Sequence, residues 1–265
     1  MKTISSPIVD PLMDISTNVR ENDFFNVDDE GGAWSDAHAN FLSSLSEAET
    51  SDLMKCSHRL NLKSRDHLFQ AGDHSNDVYI VARGCIRLFQ ISSTGKETIL
   101  WFSFSGEIFG MAELWRGNGR QIHAVANEAT QVYSISRKNF THFLGAHPEA
   151  AMKAIGILSA RFRALGNVLV GLTSDNVEIR IVRLLIRLAA ASSGTRCCAG
   201  SNEGELCVNV RLTHQDIANL IGASRQTVTT TLVQLRKQGA VRTVEHHIHI
   251  VRPDHLRRLL EQAAA

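Results

Sequence analysis

The pattern of hydrophobic and polar positions changes several times along the chain. Residues 1–37 are polar and acidic with no sustained period, which predicts a loosely ordered extension. A short helical pattern follows over 38–57, and from 60 to 136 short apolar runs alternate with polar turns such as Ser92-Ser-Thr-Gly95. Many short strands at near-regular spacing are typical of a small barrel or jelly roll, so we predict a β-roll domain over 38–147.

A long helix with an apolar seam is predicted from Pro148 onwards. Its apolar residues alternate steps of three and four, which is the heptad pattern of a coiled coil. We therefore predict a parallel dimer helix over 148–175; the alternative is a helix that packs on the core of its own domain. Ile157, Val168 and Val170 lie off the seam and could pack on the barrel. The seam residues are Ile155, Leu158, Phe162, Leu165, Leu169 and Leu172.

A second helix, Val177–Ala191, is predicted at the start of a C-terminal domain over 176–265. Three arginines lie along one side of this helix, which predicts a solvated face. They are Arg180, Arg183 and Arg187. A loop rich in Gly and Ser over 192–204 separates the helix from the rest of the domain.

A pair of helices joined by a tight turn is predicted next. Thr213 and Asp216 have the spacing of a capping box, in which a hydroxyl and a carboxylate close the first helical turn. Gly222 supplies the turn, Ser224 caps the second helix, and Gly239 ends it. Two short strands with a turn between them then predict a wing, over Val241–Val244, 245–247 and 248–251.

The second helix of this pair exposes polar residues near its N-terminus, since its apolar residues face inward. Recognition helices present base-reading side chains at that end. Arg pairs with guanine, Gln pairs with adenine, and Thr methyl groups contact thymine methyls. The alternative is a small helical subdomain with solvated Thr and Arg side chains. The candidate DNA-binding residues are Thr213, Ser224, Arg225, Gln226, Thr229, Thr230, Lys237 and Arg242.

Charge and composition narrow the function classes. The net formal charge is only +1, but residues 211–265 contain eight basic and four acidic side chains, and an excess of this kind indicates a polyanionic partner. Five scattered cysteines do not form a disulfide framework, so a reducing cytoplasm is expected. No run approaches the roughly 18 consecutive apolar residues of a membrane span, and no signal pattern or catalytic motif is found. Neither a membrane partner nor an enzyme is expected.

Two groups of short motifs carry a family resemblance. The first lies in the predicted β-roll and comprises Ala71-Gly-Asp73, Val78-Tyr-Ile-Val81, Gly84, Gly95-Lys-Glu97 and Gly106-Glu-Ile-Phe-Gly110. The second, more specific group comprises Leu212-Thr-His-Gln-Asp-Ile-Ala218 and Ile221-Gly-Ala-Ser-Arg-Gln-Thr-Val228. Over about residues 40–252 the chain resembles the cyclic-AMP receptor protein/FNR family of transcription regulators.

The resemblance implies an α+β fold with three parts. These are an N-terminal β-roll sensor domain (a jelly roll like those that bind cyclic nucleotides), a long coiled-coil dimer helix and a C-terminal winged helix-turn-helix. It implies a cytoplasmic homodimer that binds palindromic double-stranded DNA, with RNA polymerase as a further partner. Arg225 falls at the family's base-reading arginine, and Gln226 at a position often held by Glu. Activation and repression of transcription both stay open.

The resemblance also implies an effector pocket whose cyclic-nucleotide residues are incomplete here. Such sites use a Gly-Glu pair for the ribose and an Arg about ten residues on for the phosphate. Gly110 and Arg120 keep that spacing, but Met111 replaces the Glu, and Gln121 replaces a small residue. Leu165-Gly166 stands where a Thr-Ser pair contacts adenine. We therefore expect an effector other than cyclic AMP. The candidate pocket residues are Gly106, Glu107, Gly110, Glu113, Arg120 and Gln121.

The cofactor stays unknown. An iron–sulfur cluster of the FNR type is not expected, because it needs N-terminal thiolates and no cysteine precedes Cys56. Haem on His123 and oxidation of Cys197-Cys198 stay open, although vicinal cysteines close a strained ring. The histidines within 246–249 resemble a metal site only by number. The alternative functions are a cyclic-nucleotide- or haem-responsive member of the same family, and a ligand-binding regulatory subunit, which would lack the helix-turn-helix.

Overall fold

The computed structural model describes residues 40–74, 76–112, 114, 119–191 and 204–264. The helices in these ranges are α1 Phe41–Ser44, α2 Glu47–Lys55, α3 Arg137–Ala146, α4 Pro148–Ser174, α5 Val177–Ala191, α6 His214–Ile221, α7 Arg225–Lys237 and α8 Pro253–Ala264. The strands are β1 Ser57–Leu62, β2 His67–Phe69, β3 Val78–Arg83, β4 Cys85–Ile91, β5 Glu97–Phe104, β6 Ile108–Phe109, β7 His123–Ala126, β8 Thr130–Ile135, β9 Leu206–Val208, β10 Val241–Val244 and β11 His247–Ile250. The predicted extension over 1–37 lies outside the described residues.

Eight of these strands form two antiparallel four-stranded sheets. Their strand orders are β1-β8-β3-β6 and β2-β7-β4-β5. A third, three-stranded sheet, β10-β11-β9, belongs to the C-terminal domain. The two larger sheets are the β-roll that the sequence predicts, and together with the helices they confirm the α+β fold class.

Hydrophobic side chains fill the space on both faces of the central strands. In β3, Tyr79 and Val81 pack between the two sheets, whereas Val78 and Ile80 pack against the helices outside them. This explains why β3 is an uninterrupted apolar run, since a strand covered on both faces does not alternate. In the second sheet, Phe102 and Phe104 of β5 belong to the core that also contains α5, α6 and α7. The sensor and the helix-turn-helix therefore share one hydrophobic core.

Helix α4 has one buried and one exposed face. Ala154, Ile157 and Ala164 are buried, and all six residues of the predicted seam are exposed in the single chain. Of the three off-seam residues, Ile157 is buried and Val168 is half-buried, but Val170 is 62% exposed. The seam is therefore largely uncovered in the single chain, and only at its C-terminal end does Leu172 lie beside Gly222.

The predicted solvated arginine face of α5 is wrong in part. Arg183 is exposed and pairs with Asp175 at 2.9 Å. Arg180 donates to the carbonyl of Ile221 at 2.9 Å, which ties α5 to the end of α6. Arg187 is half-buried, and burial lowers its pKa to about 10. The helical period correctly places the three arginines on one side of α5, but it cannot show that other elements partly cover that side.

Candidate nucleic-acid interface and sensor site

The turn between α6 and α7 is built by local hydrogen bonds. The hydroxyl of Thr213 accepts from the backbone N–H of Asp216 at 3.1 Å, and the Asp216 carboxylate accepts from the Thr213 N–H at 2.8 Å. Gly222 ends α6 with φ +65°, a left-handed conformation that favours glycine. Ser224 then caps α7 by accepting from the N–H of Thr227 at 3.0 Å. This arrangement is a helix-turn-helix with the capping box that the spacing predicts.

Helix α7 presents a polar face at its N-terminal end. Its apolar residues Val228, Leu232 and Leu235 are buried, which orients the helix on the domain core. Arg225 and Gln226 are exposed in the first turn. A further turn along the helix, Thr230 is exposed and Thr229 is half-buried. An exposed, capped helix start of this kind is what enters the major groove in helix-turn-helix proteins.

The threonine run of α7 is stabilised within the helix. The hydroxyls of Thr229, Thr230 and Thr231 donate to the carbonyls four residues earlier at 2.9, 3.1 and 2.9 Å. His214 of α6 lies next to this run. Burial lowers the pKa of His214, and the charges of Arg236 and Arg225 lower it further. Its Nδ1 lies 2.8 Å from the Thr229 hydroxyl, so Thr229 joins α7 to α6. The Thr229 hydroxyl thus has two partners within the protein.

Two of the candidate DNA-binding residues, Lys237 and Arg242, differ in their surroundings. Lys237 is exposed in the last turn of α7. Arg242, on the wing strand β10, donates to both oxygens of Glu205, from Nε at 3.0 Å and from Nη2 at 2.6 Å. The Glu205 side chain is only 5% exposed, so this pair holds β10 to the segment before β9. The sequence missed Glu205 as a partner because 37 residues separate the two.

The wing has a two-residue hairpin turn at its tip. Glu245 and His246 both have positive φ, 47° and 69°. Two successive residues with positive φ between paired strands form the hairpin turn whose twist matches that of the strands. Val244 and His247 form the last strand pair before this turn, so β11 begins one residue earlier than predicted.

In the sensor, Arg120 is turned into the β-roll. Its side chain is buried, at 1% exposure of the residue, and its Nη1 donates to the Gly110 carbonyl at 2.9 Å. Nη2 donates to the Asp77 carbonyl. The guanidinium lies 4.3 Å from the ring centre of Phe69 and 5.5 Å from that of Tyr79. The predicted phosphate ligand is therefore engaged by carbonyls and rings of its own domain.

The other candidate pocket residues fall into two groups. Gly106 and Gly110 have φ of +85° and +83°, and a side chain on Gly106 would collide with Asn40. Gln121 is exposed and donates to the Gly119 carbonyl at 3.0 Å. Glu113 lies outside the described residues. The two glycines allow backbone conformations with positive φ, whereas the Gln121 side chain is hydrogen-bonded to the backbone of its own loop.

Glu107 meets helix α4 at a buried contact. Its carboxylate lies 3.6 Å from the Nη2 of Arg161 on α4, and the Arg161 guanidinium lies 5.5 Å from the centre of the Trp101 ring. Burial raises the pKa of Glu107 to about 7, although the charge of Arg161 acts to lower it. Burial also lowers the pKa of Arg161. The sequence did not single out Arg161 or Trp101, because neither belongs to the family's nucleotide motif.

The histidines considered for haem or metal binding contact other side chains of the protein. The cysteine pair considered for thiol chemistry lies outside the described residues. The His123 ring stacks on Phe89, with ring centres 4.9 Å apart. His249 is buried, with its Nδ1 3.7 Å from Glu205. Among residues with described positions, no group of three or more His, Cys, Asp or Glu is placed to hold a metal ion. Cys197-Cys198 lies outside the described residues.

An ion pair links the sensor to the helix-turn-helix. Arg87 on β4 lies 3.1 Å from the Asp216 carboxylate and 3.2 Å from Glu97 on β5. Asp216 also caps α6, so the first turn of α6 is held against the β4–β5 hairpin. The backbone of Arg211 accepts a long hydrogen bond from Asn127 at the same junction, at 3.5 Å.

Helix α4, with 27 residues, is long and apolar enough to cross a membrane by length and composition alone. One such helix is weak support for a membrane span, because helices of soluble proteins pass the same test. Arg161 of this helix meets Glu107 of the β-roll, and Ala150 and Ile157 pack in the core beside it.

Comparison with known proteins identifies two domains. Residues 59–147 match the cyclic nucleotide-binding domain, and residues 179–259 match the Crp-like helix-turn-helix domain. The chain is 28% identical to the global nitrogen regulator of a Nostoc species over 188 residues, which are 70% of this chain and 82% of that protein. It is also 28% identical to the cyclic AMP receptor protein of Thermus thermophilus, over 66% of this chain and 75% of that protein.

Solved structures share the fold. FixK2 from Bradyrhizobium japonicum is similar with a TM-score of 0.65 at 20% identity, covering 77% of this chain and 96% of that one. A CooA mutant from Carboxydothermus hydrogenoformans is similar with a TM-score of 0.66 at 18% identity, covering 85% and 96%. The sensor domain, the helix-turn-helix and these similarities confirm the resemblance read from the motifs: the chain belongs to the cyclic-AMP receptor protein/FNR family of DNA-binding, ligand-modulated transcription regulators.

Proposed function

We propose that the protein acts as a homodimer that reads a two-fold symmetric DNA site with helix α7. The observation that carries this proposal is the exposed pair Arg225 and Gln226 in the capped first turn of α7. A bidentate Arg selects guanine and a bidentate Gln selects adenine in the major groove. The proposed base-reading residues are Arg225, Gln226 and Thr230.

Three of the other candidate residues are placed to contact the DNA backbone. Thr213 and Ser224 stand at helix N-termini, whose N–H groups and dipoles favour phosphate. Lys237 is an exposed cation suited to phosphate. Thr229 and Arg242 act mainly within the protein, Thr229 through His214 and Arg242 through Glu205, so we assign them a positioning role.

Dimerisation through α4 is supported by its exposed seam. Phe162 is 80% exposed and Leu169 is 65% exposed in the single chain, and large apolar side chains repeated along one helix face favour a partner helix. A second copy of the chain offers the same seam in parallel orientation, and a parallel pair would place two α7 helices on one side of the dimer. A two-fold symmetric protein selects a two-fold symmetric site.

We also propose an effector other than cyclic AMP. Met111 is buried where a ribose-binding Glu would stand, and Arg120 is engaged by the carbonyls of Gly110 and Asp77. A phosphate group would have to displace both of these contacts and the stacking on Phe69. As a family member, the protein is further proposed to act in the cytoplasm, without a membrane, and with RNA polymerase as its partner.

The test is a binding selection on random DNA duplexes with the purified protein. We expect enrichment of two inverted half-sites whose centres lie about one helical turn apart. Adding cyclic AMP is expected to leave the affinity for the enriched site unchanged. Enrichment of single half-sites without symmetry, or of no sequence at all, would contradict the proposal. A large saturable gain in affinity with cyclic AMP would contradict the effector assignment.

A further inference from the structure

Three buried polar side-chain atoms belong to strand β5 and to helix α4, which approaches it. They are Nε1 of Trp101, Oγ of Ser103 and Nη2 of Arg161, and none has a hydrogen-bond partner among the described residues. Buried donors are nearly always satisfied in folded proteins, so several unsatisfied donors together call for an explanation. A ligand that brings acceptor atoms is one such explanation.

These atoms belong to side chains that share one region. Trp101 and Ser103 are two residues apart in β5 and therefore point to the same face of the strand. Their strand neighbours opposite are Leu88 and Ile86, which pack between the two sheets, so this face is the inner one. Arg161 reaches this region from α4, with its guanidinium 5.5 Å from the centre of the Trp101 ring.

The charge of Arg161 is only partly balanced. Its Nη2 lies 3.6 Å from the Glu107 carboxylate, which is longer than the charge-assisted hydrogen bond of a close ion pair. With its pKa raised to about 7 by burial, Glu107 is protonated in a large fraction of molecules near neutral pH. A buried guanidinium beside Trp101, with the Ser103 hydroxyl on the same face of β5 as Trp101, is therefore suited to an anion with several acceptor oxygens.

We propose that Arg161, Trp101 and Ser103 form the anchor site for an oxyanion, a carboxylate or phosphate group, of the sensor's effector. The proposal rests on the proposed function, in which the sensor takes a ligand other than cyclic AMP. It places the anion at the dimer helix, because Arg120 is engaged inside the β-roll.

A ligand at this position has a direct route to the helix-turn-helix. Trp101 and Ser103 face the interior of the β-roll, whereas Phe102 and Phe104 of the same strand pack in the core shared with α5, α6 and α7. Arg161 belongs to the helix that carries the seam. Anion binding would therefore act on both the dimer helix and the strand on which the DNA-binding domain rests.

The test uses the full-length protein, with inorganic phosphate and succinate as separate probes at constant ionic strength. Binding is measured as a saturable rise in Tm and a saturable change in tryptophan emission. A single anchored group binds weakly, so the titrations extend to about 50 mM, which covers millimolar Kd values. Saturation with phosphate alone identifies a phosphate group, and saturation with succinate alone identifies a carboxylate.

Variants then locate the anion. Arg161→Gln is expected to weaken binding at least about tenfold, because it removes the charged donor. Ser103→Ala is expected to weaken it about threefold or more, for the loss of one neutral donor. Trp101→Phe keeps an aromatic ring but lacks the N–H. Its anion affinity, measured by the rise in Tm, should fall by the same factor as that of Ser103→Ala. Arg163→Gln, an exposed arginine two residues along α4, is the matched control and should bind as the wild type does.

Three results would overturn the site. The first is the absence of a saturable change with either probe, and the second is an unchanged affinity in Arg161→Gln. The third is binding that Arg120→Met abolishes while Arg161→Gln retains it. DNA binding by the same preparations separates this inference from the proposed function. If the wild type selects symmetric DNA but binds neither anion, only the anchor site is wrong; if it does not bind DNA, the proposed function is wrong.

Discussion

The proposed dimer seam of α4 allows the strength of dimerisation to be predicted from two exposed side chains. Phe162 and Leu169 are 80% and 65% exposed in the single chain. Complete burial of a Phe or Leu side chain contributes about 2 kcal/mol, so a partner helix that covers both contributes roughly 3 kcal/mol per protomer. A symmetric dimer doubles this to roughly 6 kcal/mol, or about four powers of ten in the dimer dissociation constant. Replacing both residues by Glu adds the cost of burying charges.

Sedimentation and light scattering over a range of protein concentrations measure this effect. We expect the variant Phe162→Glu/Leu169→Glu to be monomeric at concentrations where the wild type is dimeric, and to lose tight binding to the symmetric DNA site. Val170→Glu is the matched control, since Val170 is 62% exposed on the same helix but lies off the seam. If the double variant remains a full dimer, or if Val170→Glu dissociates equally, the heptad assignment is refuted.

Two further predictions concern stability. A rise in the pKa of Glu107 from 4.5 to about 7 means that its contribution to stability is complete below pH 4.5 and is lost as the pH rises through 7. Between pH 4.5 and 8, the unfolding free energy of the wild type should therefore fall by about 3 kcal/mol relative to that of Glu107→Gln. Urea denaturation at each pH measures this difference, and parallel pH profiles of the two proteins would contradict the prediction. Gly222→Ala should cost about 1–2 kcal/mol, because φ is +65° and the new methyl meets Leu172 at 3.1 Å. Gly145→Ala, which meets nothing within 4 Å on α3, is the control and should be neutral or stabilising; equal losses in both variants would disprove the strain argument.

Local signals in the sequence predicted much of the fold. Helix α5 has the predicted bounds, and the capping residues Thr213 and Ser224 placed the starts of α6 and α7. Capping and turn residues act within a few positions of themselves, so a single sequence carries their signal in full. The same holds for the hairpin β4–β5, whose turn lies in the predicted polar segment.

Strand β9 and helices α3 and α8 were not predicted. Strand β9 has only three residues, too few to show a period. Helix α3 begins directly after its cap Ser136, which is the last residue of the region over 60–136 that the sequence predicts as strands and turns. Helix α8 does carry a signal, since it starts with Pro253 and has apolar residues such as Leu256 and Leu260 at helical spacing.

Contacts between distant positions could not be predicted from one sequence. The pair Arg87 and Asp216 is 129 residues apart, and only the folded chain brings the β4–β5 hairpin to the start of α6. The inward orientation of Arg120 depends on rings and carbonyls from three other segments, so its motif spacing could not show which way it points. The same limit applies to Arg161, whose burial results from packing of α4 on the β-roll.

The most direct test of the central claim is base preference in the Arg225→Ala variant. The selection on random duplexes is repeated with this variant and with Lys237→Ala, and salt titrations follow. We expect Arg225→Ala to relax the preference at one base pair of each half-site, at a cost of roughly 1–3 kcal/mol. Lys237→Ala should weaken binding about equally on all sequences and make the salt dependence shallower by about one unit. If Arg225→Ala keeps the base preferences of the wild type and loses only overall affinity, α7 does not read the DNA as described.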